Sequence, residues 1–503
     1  MDSSDTKRPL SILARYPTNA KPIVSSWLIE TESQGYFIQE EGPFRRYRRT
    51  PSADPTKPDR IEYDLWVPGL NWLFGPLFRR LLGNPNSKLS SLLPPSPISP
   101  ASLVTLGLAF WITLVVAYCA TLLGQTLAFG AGSLHASSFA QAVLLGASRF
   151  DVLIAIPVTR LADRLGRVAI LKWSFVAAII ATVISGLSPN AFVLGVFQIL
   201  AKAAATTVTL VVVVLVAESV EAKARAWAMG FLILPTALGA GICAALVSTL
   251  GVTNWMWRVL FFVSIFALAL LWSVKRLAES ARFQNAHKPR SLRELNQPKL
   301  RSRLILISIA AALVNVFFIP ASQFRNQYLT VNRHYLPYQV SLFTLFTNLP
   351  AGIGLALGSR LSETRGRRGV ASLGLAVGGV LFGLAFVTSG YWLIIFGTLG
   401  SIAGTFGVPA ISVFGPELFP TKLRSGANVI ATVAGRIGSA VGLILVGVGR
   451  ANGLSYGTPI ALLMLGPVVL SVVVLIFFPE TMGETLEEIN PDDLGDDFPK
   501  GLI

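Results

Sequence analysis

Ala162-Asp163-Arg164-Leu165-Gly166-Arg167 returns, altered, as Ser362-Glu363-Thr364-Arg365-Gly366-Arg367-Arg368. In both copies an acid stands three residues before a glycine that is followed by arginine, and Gly366 lies 200 residues after Gly166. A second pair keeps nearly the same offset: Glu218 precedes Arg225 by seven positions, and Glu417 precedes Arg424 by seven, 199 residues further along. Two independent motifs with a common offset indicate a chain made of two homologous halves.

Outward from these strings the chain is apolar. About 20 residues of helix are needed to cross ~30 Å of hydrocarbon. Runs of that kind fall at 103–126, 139–158, 168–187, 191–214, 227–249, 256–275, 303–323, 339–358, 369–388, 391–413, 427–449 and 456–478. They admit Gly and Pro freely (Pro235, Gly239, Gly241, Gly404, Gly407, Pro409) and lack the short alternating segments of barrel strands. Twelve helical spans in two sets of six are the expectation.

Composition agrees. Of 503 residues 52% are hydrophobic and only 14% charged, which excludes an ordinary soluble domain. The net charge of +16 comes from Lys and Arg grouped between the apolar runs, as in loops that stay on the cytoplasmic side, and is not a nucleic-acid footprint. These groups are Arg160, Arg164 and Arg167; Lys223 and Arg225; Arg290 to Arg303; Arg360 to Arg368; and Lys422 with Arg424. The alternate loops hold few bases, Arg333 and Arg450 being the clearest, and an even number of spans puts both termini in the cytoplasm. The two cysteines, Cys119 and Cys243, lie within apolar runs, so neither a disulfide framework nor a metal site is expected.

Residues 1–100 are polar, Pro-rich and charged in both signs, with no cleavable leader pattern, and the first span is expected to serve as its own insertion signal. Within this cytoplasmic tail, 65–82 mixes Leu65, Trp66, Trp72, Phe74 and Phe78 with Arg79 and Arg80, as a segment lying among headgroups would. The strongly basic stretch 276–302 reads as the cytoplasmic linker between an N-terminal bundle (101–275) and a C-terminal one (303–478), with 479–503 as a second tail.

The turn after the second run resembles the signature loop of the major facilitator superfamily. The likeness extends over roughly residues 100–490. Pro416-Glu417-Leu418-Phe419-Pro420-Thr421-Lys422-Leu423-Arg424 is similar to the sugar-porter and organic-ion branches, as are Trp257-Arg258, Glu279-Ser280-Ala281-Arg282, Pro479-Glu480-Thr481 and Thr485-Leu486-Glu487-Glu488. The resemblance implies an all-α membrane protein of twelve transmembrane helices in two pseudo-symmetric six-helix bundles, working as a secondary transporter by alternating access. It also implies a charged latch that closes the cytoplasmic end. The residues matching that latch are Asp163, Arg164, Gly166, Arg167, Glu218, Arg225, Glu279, Arg282, Glu363, Gly366, Arg367, Glu417 and Arg424.

Charges within the spans are more diagnostic, because each costs at least ~2.5 kcal/mol at the bilayer centre and so implies a cavity or a partner. Four stand out: Arg149, Asp151, Lys202 and Arg436. Asp151, with Arg149 beside it, is the candidate for proton coupling; the other reading is that it neutralises Arg149 or Arg436. Lys202, with Thr206 and Thr209 following at i+4 and i+7, is a candidate for contact with substrate. Arg436-Ile437-Gly438-Ser439 is similar to a stretch of organic-anion transporters, where a cation helps to hold a carboxylate. Asn315 and Gln323 flank Pro320 in the seventh run, and Tyr118, Gln125, Ser401, Thr405 and Ser412 are further polar candidates, with helix packing as the plainer reading of each.

Three cations against one carboxylate favour a metabolite anion over a sugar. A sugar or drug facilitator or exporter on the same fold, and a non-transporting sensor or scaffold, are the alternatives. ATP-driven pumping is disfavoured by the absence of any Gly-Lys pair, and enzymatic activity by the scatter of His135, His287 and His334. The partners expected are a small solute, the lipid bilayer and protons, for a monomer without cofactor or nucleic acid.

Overall fold

The computed structural model describes residues 11–15, 21–54, 57–84, 87, 93, 96–221, 224–248, 255–271, 297–419 and 423–482. Among them eleven helices are long and apolar enough to cross a membrane. In chain order these are Pro100–Gly130, Ser138–Thr159, Arg167–Gly186, Ala191–Ser219, Trp227–Leu246, Leu300–Gln323, Pro337–Ser362, Arg367–Ala385, Gly390–Ser412, Gly426–Ala451 and Gly457–Phe477. A shorter apolar helix, Met256–Leu270, stands where the sixth apolar run was read. The spans are numbered 1 to 12 below with this helix as span 6.

The helix starts follow from local chemistry. Ser99, Ser137 and Asn190 each accept a backbone N–H three residues on, satisfying donors that the first turn leaves open. Gly166 and Gly366 both sit at positive φ, 98° and 100°, where a side chain would be strained, so the repeated motif is a repeated turn in space. The duplication extends beyond the motifs: His135 and His334, 199 residues apart, are both left-handed, at φ 48° and 56°, just before spans 2 and 8.

Spans 7 and 11 pack at backbone contact. A Cβ at Gly442 would lie 2.8 Å from the Pro320 ring and nearer still to the Val316 carbonyl, and one at Gly438 would strike the Ala312 backbone. Such small-residue seams replace the hydrophobic drive that lipid removes. Gly442→Val is therefore expected to force the two spans apart and cost ~1–3 kcal/mol or more. Thermal melting in detergent checks this against Gly241→Val, a site with nothing within 4 Å of the added carbon.

The stretch ahead of span 1, read as a tail, is folded. Strands β1 (Ser11–Arg15), β2 (Ile29–Ser33), β3 (Tyr36–Glu41), β4 (Arg46–Thr50) and β5 (Asp59–Asp64) form an antiparallel sheet in the order β1-β5-β4-β3-β2. Gln34 and Gly35, both at positive φ, make the two-residue β2–β3 turn that suits the twist of a hairpin. Helix α1 (Asn71–Gly83) lies between the sheet and the membrane helices. Phe78 packs on Trp27 and Phe44, Phe74 meets Phe231 of span 5, and Trp111 of span 1 donates to the Pro68 carbonyl at 3.2 Å. The segment expected among headgroups thus turns Phe74, Phe78, Leu81 and Leu82 into protein, because the sheet offers them an apolar partner; Trp72 and Leu73 stay outside.

At the heart of the sheet Arg49 is fully buried with Glu30 and Asp59. It donates to Glu30 at 2.7 Å, to Asp59 at 2.9 Å and to the Lys21 carbonyl at 2.7 Å, while the Tyr47 hydroxyl donates to Glu30 at 2.5 Å. Most of the stretch 276–302 lies outside the described residues, and the helix of span 7 already begins at Pro298 within it.

Candidate functional site

Span 2 is not a continuous α-helix. Between Ser138–Ala147 and Asp151–Leu165 the backbone tightens into a 3-10 turn, Ser148–Phe150. Asp151 thereby opens a new helix, where a carboxylate suits the positive end of the dipole. Arg149 is carried by the turn itself and is buried.

Around this break the four intramembrane charges converge. Asp151 is 2% exposed; its Oδ2 accepts the Thr206 hydroxyl at 2.6 Å and its Oδ1 lies 3.7 Å from the Arg436 guanidinium of span 11. Lys202 of span 4 donates to the Ser148 hydroxyl at 3.0 Å. Arg149 Nε and Nη2 have no hydrogen-bond partner among the described residues. Two elements of one half and one of the other therefore meet with three cations and a single carboxylate.

Arg436 and Arg149 face a cavity of about 500 Å³ whose polar wall also includes Asn315, Asn428, Thr432 and Ser439. Asp151 stands behind Arg436, so it holds the cation without itself lining the space. Asn428, Thr432, Arg436 and Ser439 recur at spacings of four, four and three, one face of a helix. That periodic stripe was legible in the sequence, where only its arginine was singled out.

Several other candidates form hydrogen bonds between helices. Tyr118 donates to the Leu260 carbonyl at 2.7 Å and ties span 1 to span 6; Thr405 donates to the Ala351 carbonyl at 2.7 Å and ties span 10 to span 8. Lys202 and Thr206 act one layer behind the cavity, on Ser148 and Asp151. Gln323 lies against Gly124, and the Asn326 amide donates to the carbonyl and side chain of Gln125, both at 2.9 Å. A satisfied polar side chain between two apolar helices costs less than one left open, which is why Tyr118 and Thr405 bridge helices, whereas Gln323 Oε1 and Asn326 Oδ1 have no hydrogen-bond partner among the described residues.

Hydrogen bonds join the two halves at the end remote from the Gly166 and Gly366 turns. Besides Gln125 with Asn326, Ser341 donates to the Ala244 carbonyl at 2.9 Å and the Tyr456 hydroxyl meets Ser138 at 3.3 Å. This far end is shut.

At the turn end the described latch residues make contacts within their own half. Arg167 pairs with Glu218. The Glu480 carboxylate accepts the backbone N–H of Arg367 at 2.8 Å and of Arg368 at 3.1 Å, while Arg367 reaches the Thr481 hydroxyl at 3.2 Å. Pro479-Glu480-Thr481 thus caps span 9 with a carboxylate, a role the sequence alone did not reveal. The side chains of Asp163, Arg164, Arg225, Glu363, Glu417 and Arg424, and the whole of Glu279 and Arg282, lie outside the described residues. Gly453-Leu454-Ser455-Tyr456-Gly457 spells a hydrolase string, yet it is the turn between spans 11 and 12, with the Ser455 hydroxyl on Thr458, and no strand leads into it.

These features define a polytopic helical membrane protein of two halves that enclose a polar cavity. A model of the Major Facilitator Superfamily matches residues 101–335, and one described as Sugar (and other) transporter matches 314–492. The chain belongs to the major facilitator superfamily and has its fold. It is 26% identical over 313 residues to a gentisate transporter of Corynebacterium glutamicum, which covers 58% of this chain and 68% of that one. It is 32% identical over 119 residues to inorganic phosphate transporter 1-11 of Oryza sativa subsp. japonica, covering 22% of this chain. The match spans only 19% of that plant relative's length. The crystal structure of a D-xylose-proton symporter shares the fold with a TM-score of 0.61 at 19% identity, over 76% of this chain and 99% of that one.

Proposed function

We propose that the protein is a secondary transporter that carries a small organic anion across the cytoplasmic membrane by alternating access, with the Gly166 and Gly366 turns and both termini in the cytoplasm. The observation that carries this reading is the cavity presenting Arg149 and Arg436 to solute, with one carboxylate, Asp151, to balance three cations. Solvent-facing guanidinium beside Asn315, Asn428 and Thr432 suits a carboxylate or phosphate through charge-assisted hydrogen bonds. The gentisate and phosphate transporters among its relatives support the same class of solute.

Proton coupling follows from the pairing. When a bound anion draws Arg436 toward the cavity, Asp151 loses its nearest cation, and a proton on the carboxylate would take that cation's place. Solute and proton then share one occluded state, and the two halves rock about the site.

Uptake into proteoliposomes tests the reading with gentisate, inorganic phosphate and xylose under an inward proton gradient. Accumulation of an anion that collapses with a protonophore is the expected result. Transport of xylose alone, or anion uptake indifferent to the gradient, contradicts it in the first case for the solute and in the second for the coupling.

A further inference from the structure

Helix α1 turns one face into the protein and leaves the other uncovered. Phe74, Phe78, Leu81 and Leu82 are buried, while Trp72, Leu73, Pro76, Arg79 and Arg80 are exposed. With about 3.6 residues per turn, Leu73 and Arg80 fall on the side turned away from Phe78. Phe78 packs on Trp27 and Phe44 of the sheet unit, so Leu73 and Arg80 point away from that unit.

The helix lies at the level where the spans leave the hydrocarbon. Phe74 packs on Phe231 with ring centroids 5.9 Å apart, and Phe231 packs on Phe110 of span 1 at 5.6 Å. Phe231 is four residues inside the start of span 5 at Trp227, a depth of about 6 Å, and Arg225 stands just outside that start. Span 1 reaches the same level ten residues after its start at Pro100, so its first turns stand clear of the hydrocarbon and α1 sits at the boundary.

Two indoles fix it there. Trp72 Nε1 donates to the Gly69 carbonyl at 3.1 Å, and Trp111 Nε1 of span 1 donates to the adjoining Pro68 carbonyl at 3.2 Å. Gly69 is at φ 66°, and a Cβ there would strike the Trp111 ring. With its N–H satisfied inside the protein, Trp72 presents an apolar ring that is 70% exposed, beside Leu73 at 42%. Tryptophan collects at the headgroup level of membranes, where a ring of this kind is half in hydrocarbon and half in water.

Arg79 and Arg80 follow Trp72 and Leu73 by two turns. Neither is in an ion pair among the described residues; Asp64, which lines a cavity with Arg79, is held by Arg46 at 3.4 Å. An apolar edge followed by two open guanidinium groups complements a lipid surface carrying phosphate.

We propose that the outer face of α1 seats the sheet unit on the turn-side leaflet of the bilayer. Trp72 and Leu73 enter the headgroup region, and Arg79 and Arg80 bind the phosphates of anionic phospholipid. Spans 1 and 5, which hold α1, both belong to the N-terminal half, so lipid bound here stays with that half whatever solute is carried.

The test uses the full chain with Leu73→Cys carrying a bimane, in bilayers of phosphatidylcholine with and without phosphatidylglycerol. Cys119 and Cys243 are buried, which leaves position 73 as the site that reacts. A nitroxide near the acyl carbonyl of either lipid quenches a label in contact with it, and iodide quenches a label in water. Strong quenching by lipid and weak quenching by iodide are expected, with phosphatidylglycerol effective at a lower mole fraction than phosphatidylcholine. Arg80→Gln should cut that preference about fivefold, the equivalent of ~1 kcal/mol for one arginine near a charged leaflet. Arg80→Lys should restore it, rising ionic strength should weaken it, and Arg48→Gln, at an exposed position on β4, should leave it unchanged.

A label quenched by iodide and by neither lipid puts the face in water and overturns the proposal. One shielded from all three quenchers, as a second copy or another protein over the face would shield it, also overturns it. Equal quenching by the two lipids, or a preference that survives Arg79→Gln combined with Arg80→Gln, removes the anionic phosphate and does the same.

Discussion

Asp151→Asn is expected to abolish most anion uptake and to destabilise the protein by ~3–5 kcal/mol, the usual cost of removing one partner from a buried ion pair. The carboxylate is the only negative charge among Arg149, Lys202 and Arg436, and the substitution leaves three cations facing one another around the break in span 2. Thr206 would keep a hydrogen-bond partner in the new amide, so the loss measures charge and not shape. Arg436→Gln should behave differently. It removes the cation that faces the cavity, which lowers uptake roughly 10- to 100-fold for the loss of a ~1.5–3 kcal/mol charged contact, yet Asp151 remains surrounded by cations and the fold suffers less.

The double substitution separates the two roles. It should recover part of the stability lost in Asp151→Asn while uptake stays low. Melting in detergent and initial rates in proteoliposomes read both quantities. Strictly additive stabilities, or wild-type rates in Asp151→Asn, would show that the 3.7 Å contact is incidental.

Arg49→Ala should unfold the sheet ahead of span 1 while leaving the membrane helices in place. It strands Glu30 and Asp59, both wholly buried, with no cation, a loss of ~3–5 kcal/mol in a unit too small to have much stability in reserve. Arg49→Lys is not expected to rescue it, because a single ammonium cannot reproduce a fork that reaches Glu30, Asp59 and the Lys21 carbonyl together. Burial alone would lower the guanidinium's pKa, but the hydrogen bonds and charge of Glu30, with Tyr47 and Asp59, outweigh it and hold Arg49 above its ordinary value. A cation raised in the folded state contributes fully below its unfolded value, so Arg49's share of the stability persists through neutral pH and fails only in strong alkali. Limited proteolysis supplies the measurement: cleavage within 21–64 should accelerate in Arg49→Ala while the 101–482 region stays protected. Equal cleavage rates in variant and wild type would refute the assignment.

That sheet escaped the sequence reading because its strands are short and heavily charged. Glu30 and Arg49, which look like solvent-facing residues, are core residues here only because they meet each other across the sheet. The Gln34-Gly35 turn was a visible cue, but a Gln-Gly pair in a polar stretch is weak without knowledge of what its flanking strands pack on. The burial of Arg325 was missed for a similar reason. It follows the last apolar residue of span 7 and so reads as a loop arginine, whereas the irregular turn after Phe324 folds it back among buried side chains.

The span positions, the duplication and the family were all present in the order of the residues. Hydrocarbon thickness and the need to satisfy every backbone N–H and C=O within the helix act on each segment by itself, so composition suffices to reveal them. The sequence left open whether Asp151 meets Arg149 or Arg436, 285 positions away, and it did not name the carbonyls that Tyr118 and Thr405 bind. Which way each helix turns its polar face depends on neighbours distant in the chain, and only their packing decides whether a charge lines a cavity or supports one that does.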